Sequence, residues 1–294
     1  MPSSEQSTSF PASHQLFTVA VEVAQEAAAF VRNRRSEVFG GHGAERVAAD
    51  DAVAAKSTPT DPVTIVDTES EALIRRRIAE LRPGDAFLGE EGGPTGSVDG
   101  VRWVVDPIDG TVNFLYGVPA YAVSVAAQVD GKSVAGAVVD VARGVTYCAE
   151  LGHGATRIDA DGTTAQLRCT PIESVSMALV ATGFAYGAGR RVEQGRLIGE
   201  LLPRIRDIRR IGSAALDLCM VAAGVVDAHY EHGLSPWDWA AGALIAAEAG
   251  AVVHIPGPDS TSKAGEVTVA SAPGIAAELT ALLRDIGAYD AIPD

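Results

Sequence analysis

Leu16, Val19, Ala20, Val23, Ala27, Phe30 and Val31 recur at spacings of three and four, with Glu22 and Glu26 between them. That period gathers the apolar set on one face and predicts an amphipathic helix. A second helix is predicted from about Glu69 to Leu81, with Thr68 and Glu71 at capping-box spacing and Arg82-Pro83-Gly84 as its stop. Short apolar runs follow at Ala86 to Gly89, Val101 to Val105, Tyr121 to Val129, Val134 to Asp140 and Val145 to Ala149. Turns such as Val129-Asp130-Gly131-Lys132 divide them, so the first half reads as a meandering sheet backed by two helices.

From about residue 158 the pattern alternates. Strands are predicted near Ala178 to Gly183, Ile208, Val225 to Tyr230, Val252 to Ile255 and Val267 to Ala270, and helices near Arg190 to Arg204, Ala214 to Ala223, Trp237 to Ala249 and Ile275 to Asp285. Alternation of this kind predicts an α/β half, 158–294, with a mixed sheet, following an α+β half over 15–157. Residues 1–14 read as a disordered polar tail. The Gly- and Ala-rich stretch from Phe39 to Lys56 has no period and is assigned no regular structure.

Composition narrows the function. The 294 residues are 47% hydrophobic and only 5% aromatic, enough for a large globular core built on Ala and Val. A formal net charge of −15 leaves no general basic surface for nucleic acid or an anionic membrane, and points to small molecules or cations as partners. Cys148, Cys169 and Cys219 lack metal-type spacing and are odd in number, as expected of reduced core residues in a cytoplasmic protein. The N-terminal stretch has neither the basic nor the apolar region of a secretory signal, and no run of about 20 uncharged apolar residues predicts a membrane span.

The chemistry gathers on acids. Asp106 and Asp109, in Asp-Pro-Ile-Asp-Gly-Thr, end an apolar strand, where open sheets offer side chains to a crevice. Neighbouring carboxylates raise each other's pKa, so a cluster in a cleft needs either a shared proton or a cation. Mg²⁺ suits such a set, being hard and retaining waters that a phosphate can displace. Alone, the pair also reads as a solvated turn with an Asp cap. Glu90 and Glu91 follow another short strand, Asp238 opens a helix apolar all round, and Asp61 precedes the strand in Asp-Pro-Val-Thr. Capping accounts for Asp238 and an ordinary Asp-Pro turn for Asp61 when each is taken singly.

In this order the motifs resemble the inositol monophosphatase family of Mg²⁺-dependent, lithium-sensitive phosphatases, and most of all its mycobacterial branch. They comprise Asp61-Pro-Val-Thr64 with Asp67, Gly89-Glu90-Glu91, Asp106-Pro-Ile-Asp-Gly-Thr111, Gly212-Ser-Ala-Ala215 and Trp237-Asp238. The resemblance runs from about residue 16 to 285 and implies a layered αβαβα sandwich whose halves form one catalytic unit. It implies two or three Mg²⁺ per site: one on Glu90, Asp106 and the carbonyl of Ile108, one on Asp106, Asp109 and Asp238, and a weaker third leaning on Glu90. By the same resemblance Thr111 and Asp61 position and deprotonate a metal-activated water that attacks phosphorus directly. Gly110 and Thr111 cradle the phosphate, Gly212, Ser213 and Ala214 line the pocket, and Glu231 binds substrate hydroxyls. Val112 and Pro236 depart from the usual motif, at positions that supply no side-chain ligand in the family.

Hydrolysis of inositol monophosphate, a phosphorylated polyol, is therefore expected from a cytoplasmic homodimer with no nucleic-acid or membrane partner. Fructose 1,6-bisphosphate, histidinol phosphate, adenosine bisphosphates and NADP are alternative substrates within the fold. A protein-binding role in a transcription complex is an alternative of another class. His153 and His232 read as surface or packing residues rather than nucleophiles.

Overall fold

The computed structural model describes residues 13–39, 52–56, 62–96 and 100–293. Most of the expected tail, most of the stretch from Phe39 to Lys56, and Asp61 lie outside the described residues. The helices are α1 (Ser13–Phe39), α2 (Ile65–Leu81), α3 (Thr111–Tyr116), α4 (Ala188–Leu201), α5 (Ala214–Ala222), α6 (Pro236–Glu248) and α7 (Ala276–Asp285). A two-stranded ribbon pairs β1 (Val53–Ala55) with β2 (Pro62–Thr64). The large sheet holds β3 (Ala86–Gly89), β4 (Gly93–Thr95), β5 (Val101–Asp109), β6 (Ala122–Val129), β7 (Lys132–Asp140), β8 (Val145–Glu150), β9 (Ala155–Ile158) and β10 (Thr164–Gln166), in the order β10-β9-β8-β7-β6-β5-β3-β4. The small sheet holds β11 (Leu179–Thr182), β12 (Asp207–Arg209), β13 (Ala228–His232), β14 (Val252–His254) and β15 (Val267–Ser271), in the order β12-β11-β13-β15-β14.

These elements stack as a layered αβαβα sandwich. The apolar face of α1, from Leu16 to Val31, packs with α2 on one side of the large sheet. On its other side lie α5 and α6, which the small sheet covers in turn. The outermost layer, α4 and α7, buries Leu197, Leu201, Leu279 and Leu283 against the small sheet. An Ala-rich middle layer suits this position, because small side chains let two sheets close on one pair of helices. The small sheet is mixed as predicted, with β11 parallel to β12 and β13, and β15 antiparallel to β13.

Several boundaries differ from the sequence reading. Helix α2 begins at Ile65, because Thr64 rather than Thr68 is its N-cap and Asp67 completes the capping box. The Asp-Pro-Val-Thr strand thus feeds the helix directly. Val53 to Ala55, within a stretch assigned no structure, form β1 by pairing with β2. Short strands β4, β9 and β10 carry too few apolar residues to show a period, and exist through pairing with longer neighbours.

Close approach between the large sheet and α6 depends on Gly136, where a Cβ would lie 3.0 Å from the Cα of Ala241. Gly195, inside α4, has open space around the same position. In urea unfolding, Gly136→Val is expected to lose about 1–3 kcal/mol through overpacking. Gly195→Ala is expected to gain roughly 0.5–1 kcal/mol through helix propensity. Equal effects of the two substitutions would contradict this packing.

Candidate active site

Strand β5 does not end at Val105; it carries the acidic motif within itself. Asp106 stands opposite Ser124 and Asp109 opposite Ala122, so two residues of β5 face one of β6 in a bulge. Pro107 sits in that bulge, where a missing N–H costs no ladder bond. The kink turns Asp106 and Asp109 toward one space, and Asp106 Oδ1 accepts a hydrogen bond from Ile108 N at 2.9 Å. Gly110 follows at φ 98° as the N-cap of α3. A side chain there would press to 3.0 Å on the carbonyl oxygens of Ala120 and Gly212.

Neighbouring elements hold the other acids. Ser213 Oγ and Ala215 N, at the start of α5, donate to Asp109 Oδ2 at 2.6 and 2.7 Å. The Ser213 hydroxyl, expected to line the substrate pocket, is thereby directed at Asp109. Ser235 N donates to Asp238 Oδ2 at 2.6 Å, so Asp238 caps α6 with one oxygen and leaves the other toward the cluster. Glu90 is presented by a turn that Glu71 fastens, accepting from Glu91 N at 2.7 Å and Gly92 N at 2.9 Å. Gly89 is required beside it, since a Cβ would overlap the Glu71 carboxylate. Lys56 Nζ bridges Glu90 at 2.8 Å and Glu91 at 2.5 Å.

Thr111 Oγ1 donates to Asp67 Oδ1 at 3.0 Å and approaches the Ile108 carbonyl at 3.1 Å. The expected partner, Asp61, lies outside the described residues; among the described residues the acid that Thr111 meets is Asp67. Thr64 N donates to the other oxygen of Asp67 at 2.9 Å, and the Thr64 hydroxyl reaches the same atom. Thr64-x-x-Asp67 spacing was legible as a capping box and would have flagged this buried acid. Lys56, Arg190, Arg210 and Lys263 line the cavity and had no such signal, because long-range contacts alone bring them to the site.

Asp106, Asp109 and Asp238 offer oxygens that all lie within 4.8 Å of one another. They share a cavity of about 350 Å³ with Glu90, Gly110, Thr111, Gly212, Ala214 and Glu231. Burial pushes Asp106 well above the usual carboxylate range, and the charges of Glu90, Asp109 and Asp238 push it further. Asp238 is raised by burial and by Glu90, and Glu90 by burial despite Lys56. Burial lifts Asp109 to about 6 against the Ser213 bond, and Asp67 also to about 6. Glu231, across the cavity, is lifted by burial to about 8. An all-oxygen donor set that disfavours its own ionised form is chemically matched to a hard divalent cation. His153 is exposed, whereas His232 is buried in the cavity wall with its pKa lowered by burial to about 4, so neither is poised as a nucleophile.

The model of the inositol monophosphatase family matches residues 12–288. The chain belongs to the inositol monophosphatase family. It is 57% identical over 289 residues to the inositol-1-monophosphatase SuhB of Mycobacterium tuberculosis, covering 95% of this chain and 97% of that protein. The solved structure of Mycobacterium tuberculosis SuhB superposes with a TM-score of 0.79 at 53% identity, covering 94% of this chain and 98% of the other. The Nus factor SuhB of Salmonella typhimurium is 36% identical over 276 residues, covering 92% of this chain and 97% of that protein. Family membership at this identity makes the chain an enzyme, a phosphoric monoester hydrolase.

The raised acids give the metal-free protein a signed pH dependence. Between pH 8 and 6.5 the folded chain takes a proton on Glu231, lifted to about 8, that the unfolded chain has released, so stability rises as pH falls. Below 6.5 the buried neutral His229 and His232, lowered to about 3 and 4, oppose that trend because only the unfolded chain charges them. In EDTA the melting temperature is expected to be roughly 2–4 °C higher at pH 6.5 than at pH 8. Added Mg²⁺ should raise it at pH 8 and flatten the slope; a flat profile in EDTA would contradict the site electrostatics.

Proposed function

We propose that the chain hydrolyses a phosphorylated polyol, inositol monophosphate, to inositol and phosphate with Mg²⁺ bound, and without a covalent enzyme intermediate. The observation that carries this reading is the convergence of Asp106, Asp109 and Asp238 in the cavity that also holds Thr111 and Glu231. Glu90, Asp106, Asp109, Asp238 and the Ile108 carbonyl would hold Mg²⁺, which supplies charge neutralisation and Lewis acidity at the phosphoryl oxygens.

The protein's own groups do the rest. Thr111 Oγ1 accepts a proton from the attacking water as its own proton passes to Asp67 Oδ1, the oxygen that the Thr64 contacts leave open. A carboxylate lifted to about 6 by burial is suited to that exchange near neutral pH. The N–H groups of Gly110 and Thr111 orient the phosphate, close to a backbone that Gly110 keeps clear of any side chain. Gly212 and Ala214 limit the pocket without competing for hydrogen bonds. Glu231, when ionised, accepts bonds from vicinal hydroxyls and so favours a polyol.

A second reading, a protein-binding role in a transcription complex, is supported by similarity to the Nus factor SuhB of Salmonella typhimurium. It predicts a pull-down of the transcription machinery that survives Asp106→Asn. For the enzymatic reading, phosphate release is to be measured across a Mg²⁺ titration with inositol-1-phosphate, fructose 1,6-bisphosphate, histidinol phosphate, adenosine 3′,5′-bisphosphate and NADP. Inositol-1-phosphate is expected to have the highest kcat/KM. Thr111→Ala and Asp67→Asn should each lower kcat by roughly 10²–10⁴-fold. Glu231→Gln should raise KM by about ten- to hundredfold with a smaller effect on kcat. Turnover undiminished in EDTA, or in Asp106→Asn, would sink the proposal.

A further inference from the structure

Behind the wall of the active cavity lies a polar cluster that the proposed reaction does not use. Asp217, in the first turn of α5, faces His229 and Glu231 on β13. Alternate residues of a strand share a face, so His229 and Glu231 point together toward α5 while Ala228 and Tyr230 enter the apolar cluster on the other side. One ligand atom from each of Asp217, His229 and Glu231 lies within 4.8 Å of the others. His229 is 0% and Asp217 1% exposed, and both ring nitrogens of His229 and Oδ1 of Asp217 have no hydrogen-bond partner among the described residues. Buried polar atoms are ordinarily paired, so an unpartnered imidazole beside a carboxylate with an unpartnered oxygen points to a missing ligand.

We propose that Asp217, His229 and Glu231 form a second cation site, distinct from the acidic cluster at Asp106, that takes Zn²⁺. One imidazole and two carboxylates are a zinc donor set, leaving a fourth position for water or substrate. Tetrahedral bonds of about 2.0–2.1 Å place ligand atoms roughly 3.3 Å apart. His229 Nδ1 and Asp217 Oδ2 stand 3.7 Å apart, too far for a hydrogen bond and a few tenths of an ångström from zinc spacing. Mg²⁺ fits poorly, since it prefers oxygen ligands and keeps several waters. The neutral imidazole expected of a fully buried histidine needs no deprotonation to bind.

The ion would enter through the active cavity, because Glu231 lines that cavity while His229 is sealed. Gly183 leaves the room that Glu231 occupies; a Cβ there would overlap its carboxylate. Zinc bound to Glu231 would withdraw this carboxylate from substrate hydroxyls, so inhibition would be competitive. That kinetic consequence rests on the function proposed above; the binding does not.

The test is a Zn²⁺ titration of full-length, Mg²⁺-saturated protein labelled with ¹⁵N-histidine. One ring nitrogen of His229, identified by its loss in His229→Phe, is expected to shift as one equivalent of zinc binds. Asp217→Asn should weaken that binding at least tenfold, and serves as the independent variant should His229→Phe not fold. With inositol-1-phosphate as substrate, saturating zinc should raise KM at least tenfold with kcat little changed, and the effect should vanish in His229→Phe. An unmoved His229 resonance, or equal zinc affinity in Asp217→Asn and the parent, would overturn the proposal. The NMR readout needs no turnover, so its failure and failure of the phosphatase reading are separable.

Discussion

Mutual repulsion among buried carboxylates is the constraint on which the rest of this structure turns. In the absence of a cation Glu90, Asp106, Asp109 and Asp238 are all raised above the usual carboxylate range, and burial rather than any single neighbour is the main reason. A fold that crowds them must hold each one rigidly, or the acids would swing apart into solvent. Backbone N–H groups perform much of that work: Ile108 for Asp106, Ala215 for Asp109 and Ser235 for Asp238. Each bond ties one carboxylate oxygen to the scaffold. Such preorganisation fixes the geometry before any ion or substrate arrives.

The layer order explains how distant parts of the chain reach this point. Asp106 and Asp109 come from a bulged strand of the large sheet, while α6 carries Asp238 to the same place from the middle layer. Helix α5 begins beside them, so its first N–H groups and the Ser213 hydroxyl meet Asp109. Glu231 comes from the small sheet on the far side of α5. Neither half of the chain carries a complete site, which makes the Ala- and Gly-mediated closeness of the layers a functional requirement as well as a packing one.

Much of this was legible in the sequence, and the residues that were not share a physical cause. The amphipathic period of α1, the all-apolar α6 and the order of the acidic motifs are local patterns, and each predicted its element or its chemistry. The partner of Thr111 was not legible in the same way. Asp61 and Asp67 flank one short strand and helix start in the sequence, and the capping geometry at Thr64 is what identifies Asp67 as an acid that turns toward Thr111. Glu71 reads as the capping partner of Thr68, but the turn it fastens lies 20 residues on and buries it. Lys56 reads as loop charge until the fold places it against Glu90 and Glu91.

Lys56 also completes the electrostatic logic. Its ammonium lies on Glu90, at the edge of the acidic cluster, and among the charges it opposes the upward shift of that carboxylate. Burial and the charges of neighbouring acids keep Asp106 and Asp238 raised, while burial alone lifts Asp109 against its hydrogen bonds from Ser213 and Ala215 and the charge of Arg210. A cation entering the cavity therefore meets Glu90 and Asp109 partly offset by Lys56 and Arg210, and Asp106 and Asp238 under the repulsion of the other acids. The strongest unmet demand for positive charge sits at the bulge of β5, where a phosphate held near Gly110 and Thr111 would share it.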